Sequence, residues 1–182
     1  MSLSIAVTHR GLRTALTGRI GLVLFGSAML ALSARLVLPV PASPVLVTAQ
    51  TLAVVLSGAL LGPELAVASV GLYLLAGVSG LPVFSAGGGA PYLLGPTGGF
   101  LLGFIPACWI MGSLVQRGWH KSPALLALAI LLSLSAIYGL GLLVLSAYVP
   151  AGKLLAAGML PFLPGEAVKM LVAGMVILKS RR

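Results

Sequence analysis

The chain has 182 residues, of which 59% are hydrophobic and 7% charged, and its mean hydropathy is +1.17. A soluble domain carries about 25% charged residues, so this composition excludes a water-soluble fold and predicts a single all-α integral membrane domain over residues 1–182. The net charge of +9 gathers at segment ends, where the positive-inside rule puts it, and is not read as a nucleic-acid-binding surface.

Arg10, Arg13 and Arg19 precede an apolar run that reaches Ala34. A secretory signal has the same outline, but the run is long and further apolar runs follow, so it is read as a retained first span. Six transmembrane helices are predicted, over residues 19–38, 45–61, 63–79, 98–115, 123–149 and 165–178. Helices are expected because only helices and closed barrels satisfy the backbone in lipid, and no strand-like alternation appears. Pro39 and Pro41 stop the first span. Gly62-Pro63-Glu64 turns the second into the third: glycine suits a helix C-terminus, proline the first helical position, and a carboxylate the positive helix start. The third and sixth spans are expected to be short. About 15 residues at roughly 1.5 Å each reach about 22 Å, below the roughly 30 Å hydrocarbon core, and this leaves room for a pocket near one face.

Six spans put both termini on one side. That side holds Arg10, Arg13, Arg19, Arg117, Lys121, Lys179, Arg181 and Arg182, and the other holds Arg35, Lys153 and Lys169. The excess of positive charge makes the termini cytoplasmic. The outer side then receives Arg35, Glu166, Lys169 and the glycine-rich segment GLPVFSAGGGAPYLLGPTGGFLLG, residues 80–103.

Glu64 and Glu166 are the only acidic residues, and Asp is absent. Glu166 and Lys169 stand at i and i+3, on one helix face. Ionisable groups inside a span are costly and mark functional sites by default. The two can simply neutralise one another near the helix start, or they can form a ligand site. In a ligand site the carboxylate accepts N–H bonds from an amide- or urea-like group, and the ammonium meets a carbonyl or a carboxylate. Arg35, at the outer end of the first span, either snorkels to the interface or anchors an anionic tail. Gln50, early in the second span, either bonds a neighbouring backbone or contacts the ligand. In the glycine segment, Gly88 and Gly89 allow backbone to approach a ligand closely, Phe84 and Tyr92 add flat apolar surface, and Thr97 adds a hydroxyl. The segment is read as a pocket wall and lid, since irregular backbone at membrane depth is tolerated where it lines a cavity. Ser27, Ala31 and Ala34 place small residues on one face of the first span, suited either to packing within the bundle or to docking another membrane subunit.

Other chemistries lack their parts. Gly77-Val78-Ser79-Gly80 matches a GxSG serine-protease pattern, but His9 and His120 fall at the opposite membrane face from Ser79. The single cysteine, Cys108, the two histidines and the two glutamates make no metal cluster. No Gly-Lys-Ser/Thr follows the glycines, so no nucleotide loop is expected.

Three stretches carry a resemblance: ALSARLVLPVPASPVLVTAQTLAVVLSGALLG, GLPVFSAGGGAPYLLGPTGGFLLGF and FLPGEAVKML. From Gly26 to Ile177 the chain resembles the BioY family, the biotin-specific S components of energy-coupling-factor (ECF) transporters. The resemblance implies a six-helix bundle that binds biotin near the extracellular face of a bacterial or archaeal cell membrane. It also implies coupling to a transmembrane T component and a pair of cytoplasmic ABC-type ATPases, with toppling of the S component to deliver substrate. In the family an acidic residue and a lysine three positions later contact the ligand, and Glu166 and Lys169 occupy those positions. Glu166 stands where the family often has aspartate. The docking face of the family's first helix corresponds to Ser27 and Ala31. Ligand-contacting Asn or Arg residues of some members are missing from SAGGGAPYLLG. Biotin is expected as cargo, with no cofactor and no catalytic residues. The alternative is a stand-alone facilitator or secondary transporter of a small anionic vitamin. The resemblance sets no oligomeric state, and a homo-oligomer is among the arrangements it allows.

Overall fold

A helix satisfies its backbone without a partner, so an apolar chain in lipid folds as helices that then pack. The structure is a computed structural model that describes residues 2–38 and 43–180, with side chains over 16–37 and 43–180. Pro39 and Pro41, and the side chains of Arg10, Arg13, Arg181 and Arg182, lie outside the described residues. The elements are α1 (Ser2–Ser33), β1 (Val37–Leu38), β2 (Val47–Thr48), α2 (Gln50–Leu61), α3 (Pro63–Val78), the single turn α4 (Ala90–Leu93), α5 (Gly98–Gln116), α6 (Pro123–Leu145), α7 (Leu154–Gly158) and α8 (Leu163–Ser180). Short 3₁₀ turns, Trp119–Lys121 and Ala151–Lys153, precede α6 and α7.

Several boundaries differ from the predicted spans, and α1 already begins at Ser2 rather than at residue 19. Helix α1 stops at Ser33, before the expected residue 38, and β1 follows. The residue before a proline is disfavoured in helical conformation, which suits Leu38 before Pro39. Residues 45–49 do not belong to α2. Instead Val47 and Thr48 pair antiparallel with β1, in the register Val37↔Thr48 and Leu38↔Val47. Branched side chains favour that extended backbone, and Thr48 Oγ1 accepts the Gln50 N–H at 3.3 Å where α2 begins. Helix α6 ends at Leu145, short of the expected residue 149. Helix α8 is not short: it runs for 18 residues, because Pro164 sits in the first turn, where a proline starts a helix rather than delaying it.

Among the described residues, three helices are long and apolar enough to cross a membrane: α1, α5 and α6. Helices α7 and α8 meet that test together, bent by 41°. Helices α2 and α3 are shorter, with 12 and 16 residues. Helix α2 lies at the centre, packed against α1, α3, α5 and α8, while α6 covers α5 and part of α8. The core has two halves. One, at the end where α2, α5 and α8 begin, gathers Tyr73, Phe84, Phe100, Phe104 and Phe162. The other gathers aliphatic residues such as Val55, Met111 and Ile177. Arg19, Arg117, Lys121 and Lys179 belong to the second end. There Arg19 donates to Glu64 at 3.0 Å in an exposed pair.

With no hydrophobic drive between helices in lipid, close packing holds the bundle. Helix α2 meets α5 at Gly58, where an added Cβ would stand 2.5 Å from the Cys108 carbonyl oxygen. Gly58→Ala should therefore lower stability by about 1–3 kcal/mol, the usual scale of overpacking. A drop of several degrees in the detergent unfolding midpoint is expected, and an unchanged midpoint would contradict this packing.

Candidate substrate-binding site

Helices α2 and α8 begin at the same end of the bundle, and their first turns carry the polar groups. Glu166 lies in the first turn of α8, where the helix dipole favours a carboxylate. Lys169, one turn on, reaches back along the same face. Its Nζ donates to Glu166 Oε1 at 2.5 Å, to the Thr48 carbonyl at 2.8 Å and to Thr51 Oγ1 at 2.9 Å. Thr51 Oγ1 in turn donates to Glu166 Oε1 at 2.9 Å. An ammonium has three donors, so Lys169 is fully used by the protein. Glu166 is only 5% exposed, yet its second oxygen, Oε2, is buried without a hydrogen bond. The Tyr138 hydroxyl lies beside that carboxylate and interacts with it.

These groups open on a cavity of about 50 Å³ with apolar walls that include Val47, Phe100, Phe104, Ile137 and Phe162. Small-molecule pockets commonly enclose roughly 300–1,000 Å³, so this cavity is small by comparison. Of the predicted site residues, Glu166, Lys169, Gln50 and Thr97 line it. Gln50 is buried, and its amide is engaged on both sides: Oε1 accepts from the Thr48 hydroxyl at 3.1 Å, and Nε2 donates to the Tyr73 hydroxyl at 2.7 Å.

The other predicted residues do not line it, and Phe84 and Tyr92 form the layer behind the wall. Phe84 is fully buried, edge-on to Tyr73 at 5.4 Å and stacked on Tyr92 at 5.0 Å. Its ring occupies the space where a Cβ on Gly77 would stand. The Tyr92 hydroxyl bonds Ser85 Oγ at 2.6 Å, and the segment presents Ser85 and Thr97 to the cavity. Gly88 and Gly89 close the loop. A Cβ on Gly88 would strike the Leu81 carbonyl, and Gly89, at φ +100°, donates its N–H to the Gly77 carbonyl at 2.7 Å. Arg35 is exposed and donates to the Pro82 carbonyl, tying the β1–β2 hairpin to the glycine segment. On α1, Ala34 is fully buried, Ala31 packs against the core and Ser27 is half-buried.

Sequence reasoning missed Thr48, Thr51, Ser85 and Tyr138. The available signal was the cluster Thr48-Ala49-Gln50-Thr51, three hydrogen-bonding side chains in four positions of an apolar chain.

The fold is an apolar helical bundle of the membrane type, with a buried ion pair beside an aromatic-walled cavity at one end. The structure is similar to a crystal structure of the S-component for biotin from an ECF-type ABC transporter, with a TM-score of 0.82 and 24% sequence identity, over 92% of this chain and 93% of that one. This chain belongs to the BioY family, whose model matches residues 6–182. It is 36% identical to the biotin transporter BioY of Thermotoga maritima over 79% of this chain and 85% of that protein. It is 39% identical to the biotin transporter BioY of Rhodobacter capsulatus over 75% and 81%.

Breaking a buried pair from one side leaves an uncompensated charge, at a cost of about 3–5 kcal/mol. Lys169→Ala should destabilise the ligand-free protein on that scale, and Glu166→Leu combined with Lys169→Met should recover most of the loss. Detergent unfolding midpoints check this, and a double variant no more stable than Lys169→Ala would refute it.

Proposed function

We propose that this chain captures biotin from outside the cell, as the S component of an ECF importer embedded in the cell membrane as a multi-pass protein. The observation that carries the reading is the buried Glu166 carboxylate, with one oxygen bonded by the protein and the other free beside the cavity. Biotin offers a ureido group, an apolar bicyclic ring and a carboxylate tail. Glu166 Oε2 is the acceptor for a ureido N–H. Lys169 exchanges one of its protein acceptors for the ureido oxygen or the carboxylate. The aromatic wall packs on the ring, with Phe84 and Tyr92 supporting it from behind.

A cavity this small must widen to admit such a ligand. The parts that can yield are the β1–β2 hairpin and the glycine segment, which Arg35 ties together. The reading places the cavity end outside and the end bearing Arg19, Arg117, Lys121 and Lys179 in the cytoplasm. Family membership makes the chain a transporter subunit rather than an enzyme. It needs no cofactor, and biotin is its cargo. Energy comes from partners, a transmembrane T component and ABC-type ATPases, with the small-residue side of α1 at Ser27 and Ala31 facing the T component.

Equilibrium binding of labelled biotin to the purified chain in detergent tests the core of this reading. Biotin should be bound tightly and displaced by unlabelled biotin but not by thiamin or riboflavin. A folded sample that binds no biotin would sink it. Glu166→Gln and Lys169→Ala should each weaken binding by roughly 1.5–3 kcal/mol, the scale of hydrogen bonds to charged groups, and unchanged affinity in both would displace the site. Uptake should require co-expression of a T component and ATPases. Full uptake by the chain alone, in cells lacking both, would favour a facilitator.

A further inference from the structure

We propose that Thr51 is a positioning residue that aims Glu166 at the ligand, an inference that rests on the biotin-binding reading. The order of its hydrogen bonds is forced by chemistry. Lys169 can only donate, an ionised carboxylate can only accept, and a hydroxyl has one proton and two lone pairs. Thr51 Oγ1 must therefore accept from Lys169 and give its single proton to Glu166 Oε1. The chain of bonds runs from ammonium through hydroxyl to carboxylate, and each polarises the next.

The consequence lies in what Glu166 leaves free. Two donors, Lys169 Nζ and Thr51 Oγ1, converge on Oε1, and Oε2 has none. A carboxylate held by one donor can swing about its terminal torsion, which is broad and soft. Two donors from different helices fix its plane. Thr51 suits this task because its branched side chain is stiff on a helix, and because it sits in the first turn of α2 beside Gln50, which the Tyr73 hydroxyl holds. Lys169 shares its own helix with Glu166. Thr51 supplies the reference from outside it. The same arrangement keeps Lys169 saturated until a ligand competes for it.

A double-substitution experiment on biotin affinity separates positioning from simple packing. Thr51→Val keeps the shape but removes both bonds, and should weaken biotin binding about tenfold, as expected for hydrogen bonds to charged groups. Thr51→Ser, which restores the hydroxyl, should return affinity to within about threefold of wild type. In a Glu166→Ala background Thr51→Val should cost less than about threefold, because the group it aims is gone. Equal losses in both backgrounds, no loss in either, or no rescue by serine would overturn the proposal. Thr51→Ala must show the same dependence on Glu166, so the proposal stays falsifiable if the valine variant does not fold. A folded wild-type chain that binds no biotin would overturn this proposal together with the function it rests on. Biotin binding that is indifferent to Thr51 would overturn it alone.

Discussion

Two charges held almost out of water at one end of an apolar bundle set the terms for everything around them. Taking an ion out of water costs several kcal/mol even after the surroundings relax, and mutual attraction offsets this only with good geometry and further hydrogen bonds. Here the supporting bonds come from three separate elements. Helix α8 carries the pair, α2 supplies Thr51, and strand β2 supplies the Thr48 carbonyl. The hairpin, the central helix and the last helix are thus joined at Lys169. A polar joint of this kind is directional, whereas the apolar contacts of the same core are not.

The glycine segment and the hairpin are coupled to that joint. Phe84 is buried between Tyr73 and Tyr92, and Tyr73 is the partner of the Gln50 amide. Gln50 also receives the Thr48 hydroxyl, and Thr48 touches Lys169 through its carbonyl. A continuous path of contacts therefore runs from the aromatic stack under the glycine loop to the ammonium. Ser43, which leads into β2, fastens the same arm of the hairpin, donating to the Ala157 carbonyl at 2.7 Å in α7. The cap is irregular in backbone but not loosely attached, in keeping with the rule that such backbone survives at membrane depth only against protein or a cavity.

Helix length explains where the cavity falls. Helix α2 has 12 residues, about 18 Å at roughly 1.5 Å per residue, well under the roughly 30 Å apolar thickness. A central helix this short cannot fill the bundle from end to end. The space above it is occupied by strand β2, by the polar first turns and by the cavity. The aliphatic end and the cavity end of one bundle differ because one is filled by aliphatic residues in contact and the other by aromatic rings around charges.

The sequence by itself determined the solvent and the class of fold. Composition required a membrane, and the family resemblance implied the helical bundle. It also determined the central pair, because Glu166 and Lys169 at i and i+3 must share a helix face whatever else surrounds them. Span ends at glycine-proline turns were legible for the same reason, since Gly62-Pro63 acts locally. Only the tertiary structure decided which neighbours complete the pair. Thr51 lies 115 positions from Glu166, and nothing in a hydropathy pattern says that the first turns of α2 and α8 face each other. The hairpin was hidden because Val45–Thr48 is as apolar as a helix interior and its partner strand comes from the end of the first span. Phe84 and Tyr92 read as ligand surface because sequence reports aromatic character but not depth. Packing set them one layer behind the wall and gave the wall to Phe100, Phe104 and Phe162. Short-range geometry is written in adjacent residues, whereas contacts between distant segments depend on how every helix packs at once.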